Sequence, residues 1–190
     1  EPKSLTDEEI ARRFREGDEA SFEELYRRYH DRLRRVIYYY VEDSEDAQDI
    51  FHDVFVRVYK HIGTYKDDMP FSSWIYQIAV NCSKNFRNKT ARNDIVLERE
   101  KEEKRVNFLE ETTTLSAEDD FIRRDDLEQL RDAVMRLKEK FRVVFLMRHD
   151  QKLKYSEISK ILKCSERTVK WRMRKAIETI ADDLKNRGIV

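Results

Sequence analysis

Only three glycines and two prolines punctuate 190 residues, so the chain is short of the residue types that sharp turns require. Sandwiches, barrels and glycine-rich nucleotide folds need many such turns. Helices need few, and an all-α protein is the expectation. Apolar spacing agrees with this. Thr6-Asp7-Glu8-Glu9 reads as a capping box, and Gly17-Asp18 closes that helix and caps the next. Phe22, Leu25, Tyr26, Tyr29, Leu33, Val36, Ile37 and Tyr40 recur at steps of three and four. After Ser44 the set Ile50, Val54, Phe55 and Val58 does the same, and Trp74, Ile75, Ile78, Ala79, Cys82 and Phe86 resume the pattern beyond an irregular stretch at 63–70. Four helices with one loop therefore form the first part.

A formal net charge of zero conceals an uneven distribution. Residues 1–92 carry 16 basic and 18 acidic side chains, 93–120 carry 4 and 10, and 121–190 carry 19 and 11. The middle stretch, with Glu-Arg-Glu-Lys-Glu-Glu-Lys-Arg at 98–105, has sparse and aperiodic apolar residues, so it reads as a long acidic linker. It has too few apolar groups to offset the entropy of fixing its backbone, and order is expected only on a partner. Beyond it, Leu127, Leu130, Val134 and Leu137, then Val143, Val144, Phe145 and Met147, then Ile158, Ile161 and Leu162, then Val169, Met173, Ile177 and Ile180 mark four more helices. The expected architecture is two small helical domains, 1–92 and 121–190, joined by the acidic linker 93–120.

Several classes are set aside by what the chain lacks. No apolar run approaches the roughly 20 residues of a membrane span, and no secretory leader is evident, so a cytoplasmic protein without membrane insertion is expected. Cys82 and Cys164 form no metal-binding or disulfide spacing. Asp49 and His52 stand three apart like half of a helical carboxylate-histidine site, but a second such pair is missing. Neither a phosphate-binding loop nor a nucleophile elbow occurs, and no enzyme activity, metal or cofactor is expected.

Two basic surfaces stand out instead. The stretch 155–176 has the pattern of a helix-turn-helix, with a turn near Cys164 and a second helix whose residues 166–175 include Arg167, Lys170, Arg172, Arg174 and Lys175. Arg167, Lys170, Trp171 and Arg174 share one face, opposite Val169, Met173 and Ala176. That face suits a major groove. The second surface combines Lys84, Arg87, Lys89 and Arg92 with Tyr59, Tyr65, Phe71, Trp74 and Tyr76. Basic groups bind phosphates and exposed aromatic faces stack on unpaired bases. Periodicity places Phe71 and Trp74 in the core, whereas Tyr65 and Met69 lie in the loop and are expected to be available.

Taken together, these segments resemble a bacterial sigma factor of the extracytoplasmic-function group. Asp46-Ala-Gln-Asp-Ile-Phe-His-Asp-Val-Phe55 is similar to the family helix that docks on the clamp helices of core RNA polymerase. Phe71-Ser-Ser-Trp-Ile-Tyr-Gln-Ile-Ala-Val-Asn81 is similar to the segment bordering the loop that captures a flipped base of the minus-ten element. Tyr155-Ser-Glu-Ile, with Cys-Ser-Glu-Arg-Thr-Val-Lys170, is similar to the helix-turn-helix that reads the minus-thirty-five element as duplex. The resemblance implies polymerase docking through Asp46, Asp49, His52 and Asp53. It implies that Tyr65, Asn81, Lys84, Asn85 and Arg87 act on unpaired promoter DNA, and that Arg167, Thr168, Lys170, Trp171, Arg174 and Lys175 act on duplex. The partners it implies are core RNA polymerase, promoter DNA and an anti-sigma factor, with promoter recognition and opening as the activity.

Departures from the family are local. His52 and Asp53 stand where Gln and Glu are usual, Lys138 where Pro often follows Leu, and Trp171 where Ser is customary. Lys152, Lys163 and Arg167 replace frequent glycines, and Lys or Arg at positive φ is costly. A stand-alone helix-turn-helix regulator with a sensing first domain, or a carboxylate metalloenzyme, are the other classes open to such a sequence.

Overall fold

The computed structural model describes residues 5–90 and 124–189, and every regular element among them is helical. The linker reading over 93–120, and Arg92 of the second basic cluster, lie outside the described residues. The chain divides into two compact units, Glu1–Val106 and Asn107–Val190.

The first unit begins with α1 (Asp7–Arg15), whose start is the capping box legible in the sequence. Thr6 Oγ1 accepts from the Glu9 amide at 3.2 Å, and the Thr6 amide donates to Glu9 Oε2 at 2.7 Å. Gly17 takes the left-handed conformation with φ of 101°, and Asp18 then caps α2 (Glu19–Val41) by accepting from the Ala20 amide. Asp43 accepts from the Glu45 and Asp46 amides to start α3 (Ser44–His61), which leads through a 3-10 turn (Ile62–Thr64) to α4 (Phe71–Thr90). Helix α2 is the central strut, packing against α1, α3 and α4. Its buried stripe of Leu25, Tyr29, Leu33, Val36, Ile37 and Tyr40 shares the core with the buried Ala47, Ile50, Phe51 and Val54 of α3 and Phe71, Ile75 and Tyr76 of α4, and the Tyr29 ring meets those of Phe71 and Tyr76 at 5.6 and 6.2 Å. Each of these large side chains contributes roughly 1.5–3 kcal/mol by leaving water, which is why the periodic positions face inward.

The second unit is built from α5 (Arg124–Arg136), α6 (Glu139–His149), α7 (Tyr155–Leu162) and α8 (Glu166–Asn186). Helix α8 packs against the other three through Val169, Met173, Ala176 and Ile180. Arg142 is buried, and its Nη1 donates to the Met135 carbonyl at 2.7 Å, which ties the end of α5 to α6. Lys138, where the resemblance leads proline to be expected, holds φ of −57°, a value proline itself favours.

Candidate functional site

In the second unit α7, a short turn and α8 form the helix-turn-helix expected from 155–176. The turn is closed at backbone level. Lys163 adopts φ of 52°, its amide donates to the Lys160 carbonyl, and the Cys164 amide donates to the Ser159 carbonyl at 3.0 Å. Lys152, in the preceding loop, also has positive φ, at 54°. Two of the three positions where the resemblance leads glycine to be expected thus keep the glycine-like backbone while carrying lysine. Arg167 is the exception, because it sits within the first turn of α8.

Ser165 caps α8, accepting from the Thr168 amide at 3.1 Å, and its hydroxyl lies 2.9 Å from that of Thr168. Thr168 is therefore engaged at the helix start and half-buried. Arg167, Lys170, Trp171, Arg174 and Lys175 are all exposed, while Val169, Met173 and Ala176 are buried. The two-sided character read from spacing is present in the structure. Lys175 pairs with Glu178 at 2.7 Å, on the edge of the exposed face. Ile177, in the expected apolar pattern, is 50% exposed, because it lies about 100° round the helix from Ala176 and at the margin of the stripe.

Sequence reasoning missed the surroundings of Trp171. Phe141 of α6 meets its ring at a centroid distance of 5.7 Å, and Lys140 Nζ sits 5.1 Å from the Phe141 ring and 6.0 Å from that of Trp171. Such cation-π contacts hold an ammonium beside an aromatic surface without removing it from solvent. The basic, aromatic face of α8 is thereby widened by a helix that carries no helix-turn-helix signature. No local pattern could have found this pair.

In the first unit, Asn81, Lys84, Asn85 and Arg87 are exposed on the C-terminal half of α4. Asn81, Lys84 and Asn85 fall at steps of three and one, so they line one side of the helix. Tyr65 requires a correction. It is only 1% exposed, its ring packs against Phe71 and Trp74 at 5.4 and 5.5 Å, and its hydroxyl donates to the Met69 carbonyl at 2.9 Å. Burial, then the Glu8 and Asp67 charges, push its phenol up to about 12. A ring so enclosed cannot stack on a base. The loop turns inward because the rings of Phe71 and Trp74 enclose the Tyr65 side chain, a tertiary condition that helical periodicity does not register. Lys66, Asp67 and Asp68 remain exposed at the loop's tip, with Met69 and Pro70 half-buried.

Along α3, Asp49, His52 and Asp53 are exposed and Asp46 is half-buried. The Gln48 amide donates to His52 Nε2 at 2.9 Å. The acidic stripe runs on into exposed Val56, opposite the buried Ala47, Ile50, Phe51 and Val54. Among the described residues no three His, Cys, Asp or Glu side chains gather as metal ligands, and no helix is long and apolar enough to cross a membrane.

Family comparison adds an independent line. Sigma-70 region 2 matches residues 25–93, and Sigma-70, region 4 matches 127–180. The RNA polymerase sigma-H factor of Pseudomonas aeruginosa is 26% identical over 182 residues, covering 92% of this chain and 91% of that one. The ECF RNA polymerase sigma-E factor of Escherichia coli K12 is 29% identical over 191 residues, covering 94% of each. The chain belongs to the sigma-70 family, as an extracytoplasmic-function sigma factor. Region 2 spans α3, α4 and most of α2, and region 4 spans the helix-turn-helix, so both basic surfaces fall inside matched segments. The fold agrees with a solved sigma factor RpoE in complex with the anti-sigma factor NepR from Bartonella quintana. That chain is 14% identical, the match covers 86% of this chain and 96% of that one, and the TM-score is 0.66. As a sigma factor the protein serves promoter recognition in transcription.

Proposed function

We propose that the factor binds core RNA polymerase, reads the minus-thirty-five element as duplex with α8, and opens the minus-ten element with the first unit. The observation that carries this reading is the exposed face of α8, where Arg167, Lys170, Trp171 and Arg174 stand opposite a wholly buried Val169, Met173 and Ala176. A helix of that kind, capped by Ser165 and led by its N-terminal turn, presents donors to guanine O6 and N7 and an aromatic surface to a thymine methyl. Thr168 acts there by holding the first turn together with Ser165, and Lys175 acts on phosphate.

In the first unit the same reading gives Asn81, Lys84, Asn85 and Arg87 to the unpaired strand, together with Lys66 and Met69 at the loop. Tyr65 supports the loop from beneath. Extruding a base costs a few kcal/mol, which a snug pocket and nearby cations offset. Asp46, Asp49, His52 and Asp53 form the polymerase-docking surface of α3. The acidic linker 93–120 joins the two DNA-binding domains 1–92 and 121–190, and the fold-level likeness to an RpoE solved with NepR supports an anti-sigma factor as the regulatory partner. No covalent chemistry is assigned to the chain.

Transcription in vitro with purified core RNA polymerase, followed by sequencing of the RNA 5′ ends, tests the proposal. Factor-dependent starts that share two elements upstream are expected. Duplex binding by the free chain with no factor-dependent transcript would favour a stand-alone regulator instead.

A further inference from the structure

Helix α1 has no part in either basic surface, yet its polar side chains converge on the loop between the 3-10 turn and α4. Arg15 Nη1 donates to the Tyr65 carbonyl at 3.0 Å. Arg12 Nε and Arg15 Nη2 lie 3.6 and 3.7 Å from Asp67 Oδ2. Glu8 Oε1 accepts from the Phe71 amide at 3.1 Å, at the first residue of α4, where a carboxylate is favoured by the unsatisfied amides and the helix dipole. One side of α1 thus grips the loop at its start, its tip and its end.

The other side of α1 is anchored to the central strut. Asp7 accepts from the Tyr29 hydroxyl at 2.6 Å and from Arg28 Nη1 at 2.8 Å, while Ile10, Ala11 and Phe14 are buried. Burial first, then the Asp7 charge, raises the Tyr29 phenol, so it stays a donor. Arg28 also donates to the Leu5 carbonyl. A firmly held helix is therefore the reference against which the loop is placed. The exposed pairs to Asp67 add little, because water and salt screen them. The weight rests on the two half-buried contacts to backbone, Arg15 with Tyr65 and Glu8 with Phe71.

We propose that Glu8 and Arg15 of α1 are positioning residues for the 65–70 loop, fixing it in the shape that receives an unpaired base. This rests on the loop acting on unpaired DNA, as proposed above. Its physical basis is preorganisation, since a loop ordered before binding does not lose that entropy when the base enters.

The test uses holoenzyme reconstituted from the full chain and core RNA polymerase. Its probes are non-template single strands and upstream duplexes taken from promoters mapped by the transcription assay. Arg15→Ala and Glu8→Ala should each weaken single-strand affinity about fivefold, the loss expected for one hydrogen bond of ordinary net strength. Upstream duplex affinity should stay unchanged, and Glu8→Gln, which keeps the acceptor, should restore most of the loss. Met69→Ala at the loop itself is the companion variant. If it weakens single-strand binding while Arg15→Ala and Glu8→Ala do not, the positioning role is overturned and the loop's role stands. If none of the three has an effect, the loop's role falls as well. A lowered melting temperature for the α1 variants with unaltered single-strand affinity would mean that α1 only stabilises the fold, and that too overturns the proposal.

Discussion

Replacing Lys163 by glycine should leave the second unit more stable than replacing it by alanine, although the two variants differ by a single methyl group in the turn between α7 and α8. Lys163 has φ of 52°, where the Cβ of an L-residue crowds its carbonyl oxygen at a cost of about 1–2 kcal/mol. Glycine avoids that crowding and loses about 0.5–1 kcal/mol more backbone entropy on folding, so a net gain of roughly 0.5–1 kcal/mol remains. The lysine also sits at the C-terminal end of α7, where a cation is favoured by about 0.3–1 kcal/mol. Comparing Lys163→Gly with Lys163→Ala removes that contribution, since both variants lose the charge and only one keeps the Cβ. For a unit of this size the difference corresponds to a rise of about 4 °C in melting temperature. The chain has two tryptophans, and in a Trp74→Phe background Trp171 reports the second unit alone. Thermal melting followed by its fluorescence should place Lys163→Gly above Lys163→Ala, and the same ordering should hold at Lys152, with φ of 54°. If the glycine variant melts at or below the alanine variant, the left-handed turn is unstrained and the reasoning fails.

Lys170→Ala should relax base preference at one or two adjacent pairs of the upstream element, a loss of about 1–3 kcal/mol of discrimination, while Lys175→Ala should weaken all sequences alike and lower the salt slope by about one unit. Selection from randomised upstream elements distinguishes the two, and identical preferences for the parent and Lys170→Ala remove that residue from the reading set. Asp49→Lys, on the exposed stripe of α3, should reduce affinity for core polymerase with an unchanged circular dichroism spectrum, and unaltered affinity would count against that surface. The Tyr65 phenol, pushed up to about 12, favours the folded state while protonated. Its contribution is complete below the ordinary tyrosine value near 10 and is lost as pH climbs towards 12, an effect of about 2–3 kcal/mol. Urea unfolding across that range should show the parent losing more stability than Tyr65→Phe, and parallel curves would refute the assignment.

What could be read in advance was decided by locality. The capping box at Thr6, the Gly17-Asp18 junction and the helix-turn-helix at 155–176 depend on residues within a few positions of each other, and each stands in the structure as its spacing implied. The exposed face of α8 was legible for the same reason, because helical geometry alone separates Lys170 and Arg174 from Val169 and Met173. Tyr65 was not. Its ring is enclosed by Phe71 and Trp74 across the loop, and its main-chain carbonyl is held by the Arg15 guanidinium fifty residues earlier in the chain. A loop position has no period to betray which way its side chain turns, so composition suggested an available aromatic where packing had enclosed one.

The same distinction separates the two basic surfaces. On α8 the cations and the apolar stripe belong to a single helix, so the chain's local pattern and the surface coincide, and only Phe141 and Lys140 had to be supplied by the fold. The surface of the first unit has no such single carrier. Its cations lie on α4, its loop is tied down by Arg15 and Glu8 of α1, and α1 is itself fixed by Asp7 to Tyr29 and Arg28 of α2. Three helices must pack before the loop has a shape. A single substitution on α8 should therefore alter contact with DNA and leave the rest of its face in place, whereas one on α1 should act at a distance, through a loop it does not belong to.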